Sequence, residues 1–142
     1  MKKSLFVEGV CLAFIVLFVY AAVNKLMDYQ KFKVQLEQSP LLNSFAGWVA
    51  WFIPACEILI SCMLAFTRTR LAGMYACFSL MILFEAYIFT VTRFSEHVPC
   101  ACGGILGKLG WSAHFIFNGC WVAAALAGVL FYPDRTRQHL LQ

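Results

Sequence analysis

Charge is what this sequence has least of. Only 13% of its 142 residues are Asp, Glu, Lys or Arg, against ~25% in a soluble domain. Hydrophobic residues make up 62% and aromatics 16%, and the mean hydropathy is +0.76. A water-solvated domain is excluded; the solvent is mostly lipid, and any core is the inside of a helix bundle. No apolar stretch alternates with period two, which argues against a β-barrel. The chain has no linker, low-complexity tract or internal repeat, so residues 1–142 read as one domain. The net charge of +4 calls for no nucleic-acid partner; it reads as membrane topology.

What is present is four apolar runs, at 4–23, 45–66, 71–92 and 112–131. Each has about 20 residues, enough to cross ~30 Å of hydrocarbon as a helix. Lipid cannot satisfy free backbone groups, so each run must be helical. The expected fold is all-α: a polytopic four-transmembrane-helix bundle. Lys2 and Lys3 before an apolar run, with Val19-Tyr20-Ala21 behind it, also fit a signal peptide. Glu8 interrupts that run and Asn24-Lys25 closes it at full membrane length, so it is read as a span.

Four spans place both termini on one side. That side carries Lys2, Lys3, Arg68, Arg70, Arg135 and Arg137, and the other carries Lys25, Lys31, Lys33, Arg93 and Lys108. The totals barely differ, but Thr67-Arg68-Thr69-Arg70 packs two arginines into a very short loop. Basic residues in short loops hold a segment in the cytoplasm. Both termini are therefore expected inside, in a cytoplasmic (inner) membrane. The first outer loop holds Tyr29, Phe32 and Leu36 at helical spacing, which predicts a short interfacial helix. Trp48, Trp51, Tyr87 and Trp111 lie near outer span ends, as an aromatic belt does. Gly73 and Gly128 stand among small residues suited to close helix contact.

Cys100-Ala101-Cys102, followed by Gly103-Gly104, sits in the polar break between the third and fourth runs. The other five cysteines, Cys11, Cys56, Cys62, Cys77 and Cys120, fall inside apolar runs and read as small apolar residues. On the expected topology the Cys100–Cys102 pair faces an oxidising compartment, where disulfides persist. A ring closed by such near neighbours is strained, and strain favours exchange. His97 and Lys108 supply positive charge nearby, which raises thiolate content. Three chemistries fit: a redox-active thiol–disulfide pair, a structural bridge in a subunit of a larger envelope complex, or capture of a soft ion such as Cu(I). No metal site is assigned; zinc would need two further ligands, and none is placed to serve.

Ionisable groups inside a span cost roughly 2.5–3.5 kcal/mol each on insertion scales, so they are rarely idle. Glu8, Glu57 and Glu85 lie in spans. Glu8, near the inner end, is expected to reach the headgroups. Glu57 is expected near the midplane, bonded to a neighbouring helix through Ser61 or free to meet a quinone carbonyl. Glu85 falls about seven residues before the outer end, ~10 Å deep. His114 and Asn118 are one turn apart on one face. Lys25, Asp28, Glu85, His114 and Asn118 are expected to converge under the cysteine loop, with Lys25 pairing Glu85 or the whole group receiving a polar head.

Asn24-Lys25-Leu26-Met27-Asp28, Pro54-Ala55-Cys56-Glu57 and Pro99-Cys100-Ala101-Cys102-Gly103-Gly104, in this order across four spans, resemble the MauE/DoxX family of redox-associated membrane proteins. The likeness is closest to its methylamine-utilisation MauE branch and covers nearly the whole chain. The resemblance implies a four-helix membrane bundle that supports disulfide formation or maturation of exported proteins beside a periplasmic thioredoxin-like or client partner, with other membrane subunits as further candidates. Through DoxX relatives it implies a link to quinone as the cofactor. The architecture also looks like that of vitamin K epoxide reductase-type enzymes, which carry an additional membrane-embedded Cys-x-x-Cys; this chain has none.

Overall fold

The computed structural model describes residues 2–94 and 110–133, and of Trp111 the backbone alone. Every regular element among these residues is helical. The order is α1 (Lys2–Met27), α2 (Tyr29–Glu37), a 3-10 turn (Asn43–Phe45), α3 (Ala46–Ala65), α4 (Arg70–Phe94) and α5 (Trp111–Leu130). Four helices are long and apolar enough to cross a membrane, namely α1, α3 with its leading turn, α4 and α5. Only α2 is short. It is a short helix where the spacing predicts one, with Phe32 and Leu36 buried and Lys33 paired to Glu37 at 3.8 Å on its exposed side.

Two seams organise the bundle. On α1 the buried residues are Val7, Cys11, Phe14, Phe18, Ala22 and Lys25, spaced by fours and threes. On α3 they are Ala46, Ala50, Pro54, Glu57, Ile60, Ser61 and Leu64, with the same period. Such spacing puts one stripe of each helix against the other. The bulk of the core, Phe14, Phe18, Leu64, Met74, Cys77 and Met81 among others, fills the middle and the terminal end. Phe14 meets Trp121 of α5 edge-on at 4.8 Å between ring centroids.

Lipid gives little hydrophobic drive between helices, so close packing must hold them. Gly73 lets α4 lie on α3, where a Cβ would stand 3.1 Å from Leu64 Cδ2 and 3.2 Å from Met63 Cβ. Gly128 lets α5 lie on α4, where a Cβ would overlap Met74 Cε. The α3–α4 link is stapled by its own side chains: Thr69 Oγ1 donates to Met63 O at 2.8 Å and Arg70 Nε to Leu64 O at 3.2 Å. These donors satisfy carbonyls that the end of α3 leaves open.

The wiring gives the bundle two ends. Ser4, Glu8, Thr67, Arg70 and Tyr132 line a cavity of about 110 Å³ at one; Glu8 is exposed there, at the end of its span. At the other lie the end of α1, all of α2, the start of α3, the end of α4 and the start of α5. A second, smaller cluster of Phe32, Leu36, Ala46 and Ala50 fastens α2 to α3 at that end.

Candidate functional site

The candidate site lies where the two seams approach the α2 end. Lys25 extends the α1 seam by one more step, and Glu57 stands in the α3 seam. Helical Cα–Cβ bonds tilt toward the helix N-terminus. In antiparallel α1 and α3 that tilt leans Lys25 into the bundle and Glu57 outward, so the two meet. Lys25 Nζ donates to Glu57 Oε1 in a buried ion pair. Lys25 is 7% exposed and Glu57 1%.

The local sequence makes room for this pair. Pro54, one turn before Glu57, lies inside α3, and a helical proline removes one backbone N–H. Such positions are tolerated in spans where neighbouring helices cover them; Pro54 is fully buried. Ser61 Oγ donates to the backbone oxygen of Glu57 at 2.8 Å. The expected Ser61 bond is thus to the main chain, and the carboxyl is left to Lys25. Two rings flank the ammonium: Phe32 of α2 at 5.8 Å and Phe84 of α4 at 5.5 Å to the ring centroids. A cation within about 6 Å of an aromatic face is attracted by its quadrupole.

Glu57 keeps one oxygen uncommitted. Oε2 is buried and has no hydrogen-bond partner among the described residues. Beside the pair lies a cavity of about 50 Å³ whose polar lining is Lys25, Glu57, His114 and Asn118, with Tyr20 at its edge. His114 and Asn118 are both buried, one turn apart on α5.

The structure therefore brings together four of the residues singled out, Lys25, Glu57, His114 and Asn118, and leaves two apart. Asp28 is exposed at the junction of α1 and α2, where its backbone oxygen accepts from Phe32 N at 2.9 Å. Glu85 is half-buried outside this cavity, over the bare backbone of Gly119 on α5. Its Oε2 too lacks a hydrogen-bond partner among the described residues. The anticipated Lys25–Glu85 pair is replaced by Lys25–Glu57, because both members of the latter occupy facing seams while Glu85 lies off the buried stripe of α4. Cys100 and Cys102, with His97, Pro99, Gly103, Gly104 and Lys108, lie outside the described residues. The stretch that holds them, 95–109, joins α4 to α5 at the end where the site sits.

A second cavity adjoins the first. It measures about 270 Å³ and is lined by Phe32, Leu36 and Leu42, by Val49 and Ile53 of α3, and by Leu80, Leu83, Phe84, Tyr87 and Ile88 of α4. Lys25 and Phe84 belong to both linings. The sequence reading missed this chamber. Its signal was there, in the amphipathic face of α2, which must lie on something apolar.

No curated protein and no solved structure matches the chain. A family model described as methylamine utilisation protein MauE matches residues 3–131, almost the full length. With its four apolar helices and that match, the chain is a multi-pass membrane protein of the MauE family.

Proposed function

We propose that this protein is the membrane component of a thiol–disulfide relay that supports disulfide formation or maturation of exported proteins. It sits in the cytoplasmic membrane with both termini inside and the α2 end facing the periplasm. Cys100 and Cys102 exchange with a thioredoxin-like or client protein there. When the pair closes to a disulfide it releases two electrons and two protons, and a lipid-soluble quinone takes up both, its two carbonyl oxygens becoming hydroxyls. The same atoms balance in reverse if the client is being reduced.

One observation carries this reading: a buried Lys25–Glu57 pair with a carboxyl oxygen that has no partner among the described residues, against a polar cavity, at the end of the bundle where α4 stops and α5 begins. A cavity of about 50 Å³ has room for a few water molecules, at roughly 10–15 Å³ of such volume each. It is too small for a headgroup, and its chemistry is that of proton movement. With a proton, Oε2 donates; without one, it accepts. Asn118 and the His114 imidazole extend the path toward the α2 end. The family match and the arginine-dense 67–70 turn support the membrane assignment and its orientation.

Thiol trapping tests it. A Cys102→Ala variant should accumulate a mixed disulfide through Cys100 with an exported protein, seen as a band lost on reduction. Absence of any such adduct, under oxidising and reducing growth alike, would refute the relay.

A further inference from the structure

The larger chamber is more than a packing fault. An apolar cavity of about 150 Å³ is enough to hold a benzene ring, and this one is about 270 Å³. Its walls are flat and greasy: Phe32 and Phe84 face it, with Leu36, Val49, Ile53 and Leu80 around them. Leu83 lines it while remaining 64% exposed to the lipid side, which gives a way in from the bilayer. One charge enters the lining, Lys25, and Lys25 also belongs to the polar cavity next door. An acyl chain would have no use for an ammonium. A ring that bears oxygen at its edge would.

We infer that the apolar chamber under α2 binds the ring of a lipid-soluble quinone, edge-on to Lys25, while the water-sized cavity on the other side of Lys25 handles its protons. The choice of occupant rests on the relay reading above; the division of labour rests on the two volumes. Lys25 Nζ donates to the ring oxygen that comes nearest. The free oxygen of Glu57 exchanges a proton with it through water. Such an oxygen suits a partner that is a carbonyl in one redox state and a hydroxyl in the other. Phe32 and Phe84 sandwich the ammonium from α2 and α4, so α2 closes the chamber and fixes the position of Lys25 together. The quinone chain leaves past Leu83 into the bilayer.

Photo-labelling of the full chain in lipid nanodiscs tests this, with an azido-benzoquinone bearing a short alkyl chain. The labelled peptides should contain the 80–88 stretch of α4 and Phe32 of α2, and unlabelled quinone should compete. Leu83→Trp and Val49→Trp, both at incompletely buried positions, should each lower the yield about tenfold by filling the chamber, with thermal stability close to the parent. A Cys100→Ser/Cys102→Ser variant should label as the parent does. Labelling confined to lipid-facing residues such as Leu12, Phe52 and Ile116, or labelling unchanged by both tryptophans, overturns the inference. So does an azido-acyl phospholipid that labels the chamber while quinone is saturating. Quinone labelling without any mixed disulfide would sink the relay and leave the chamber assignment standing; mixed disulfides without chamber labelling would do the opposite.

Discussion

The Lys25–Glu57 pair allows a double-mutant test with unequal arms. Lys25→Met strands a buried carboxyl, and Glu57→Leu strands a buried ammonium beside two aromatic rings. Removing one member of a buried pair typically costs ~3–5 kcal/mol, whereas replacing both by apolar groups of similar volume is neutral or stabilising by ~1–4 kcal/mol. Both side chains are over nine-tenths buried, at 7% and 1% exposure, so solvent does little to soften either loss. A loss of ~4 kcal/mol changes the folded-to-unfolded ratio nearly a thousandfold. Each single variant should therefore unfold well before the parent in a reversible assay in micelles or bicelles. The combined Lys25→Met/Glu57→Leu chain should return to within about 1 kcal/mol of it. It should nevertheless fail to support the relay. Two single losses below ~1 kcal/mol each, or a double variant as weak as their sum, would refute a buried, mutually compensating pair.

Three other outcomes follow from the packing. Ser39 is fully buried and its Oγ has no partner among the described residues; an unsatisfied buried hydroxyl costs ~1–3 kcal/mol, so Ser39→Ala should leave thermal stability equal or higher, and a clear loss would reveal a bond. Gly128→Ala should lower stability by ~1–3 kcal/mol, because Met74 is enclosed and can give little ground; Met74→Ala should cost less in that variant than in the parent, since it removes the overlap. After mild reduction, a membrane-impermeant maleimide applied outside intact cells should label the parent and not the Cys100→Ser/Cys102→Ser variant, since Cys11 and Cys77 are buried, Cys56 and Cys120 lie within spans, and Cys62 lies near the opposite end of α3; persistent labelling at Cys62 would reverse the orientation.

The spans were legible because apolar length alone decides what crosses a bilayer, and α2 because Tyr29, Phe32 and Leu36 repeat at helical spacing. The end of α1 was less so. The apolar run stops at Val23, yet the helix continues to Met27, since Lys25 turns its long arm back into the bundle rather than ending the helix in water. Depths compared along separate spans point to Glu85 as the partner of Lys25, where the structure has Glu57. Depth is a poor guide when a lysine arm and the opposite lean of two antiparallel helices together close the gap. The seam register holds the better signal: 7, 11, 14, 18, 22 and 25 on one helix, and 46, 50, 54, 57, 61 and 64 on the other. A lysine and a glutamate that each interrupt such a register on neighbouring helices belong opposite one another. The chamber could not be read this way, because a cavity is what several side chains fail to fill, and no one residue announces it.

The two ends of this bundle solve different problems. Toward the terminal end the seams carry Val7, Cys11, Phe14, Ile60 and Leu64, and Gly73 and Gly128 bring α4 into close contact with its neighbours. Dispersion across those contacts is what holds spans together in lipid. Toward the α2 end the same seams carry a lysine and a glutamate, open into two cavities, and leave a carboxyl oxygen without a partner among the described residues. If fastening α1 to α3 were the only task there, two leucines would do it at least as well and would leave no space beside them. Close packing and the buried ion pair thus occupy separate lengths of one helix pair. That separation is why the Lys25→Met/Glu57→Leu double variant should keep the bundle while losing the proposed relay, and why one that folded and worked would count directly against a chemical role for the pair.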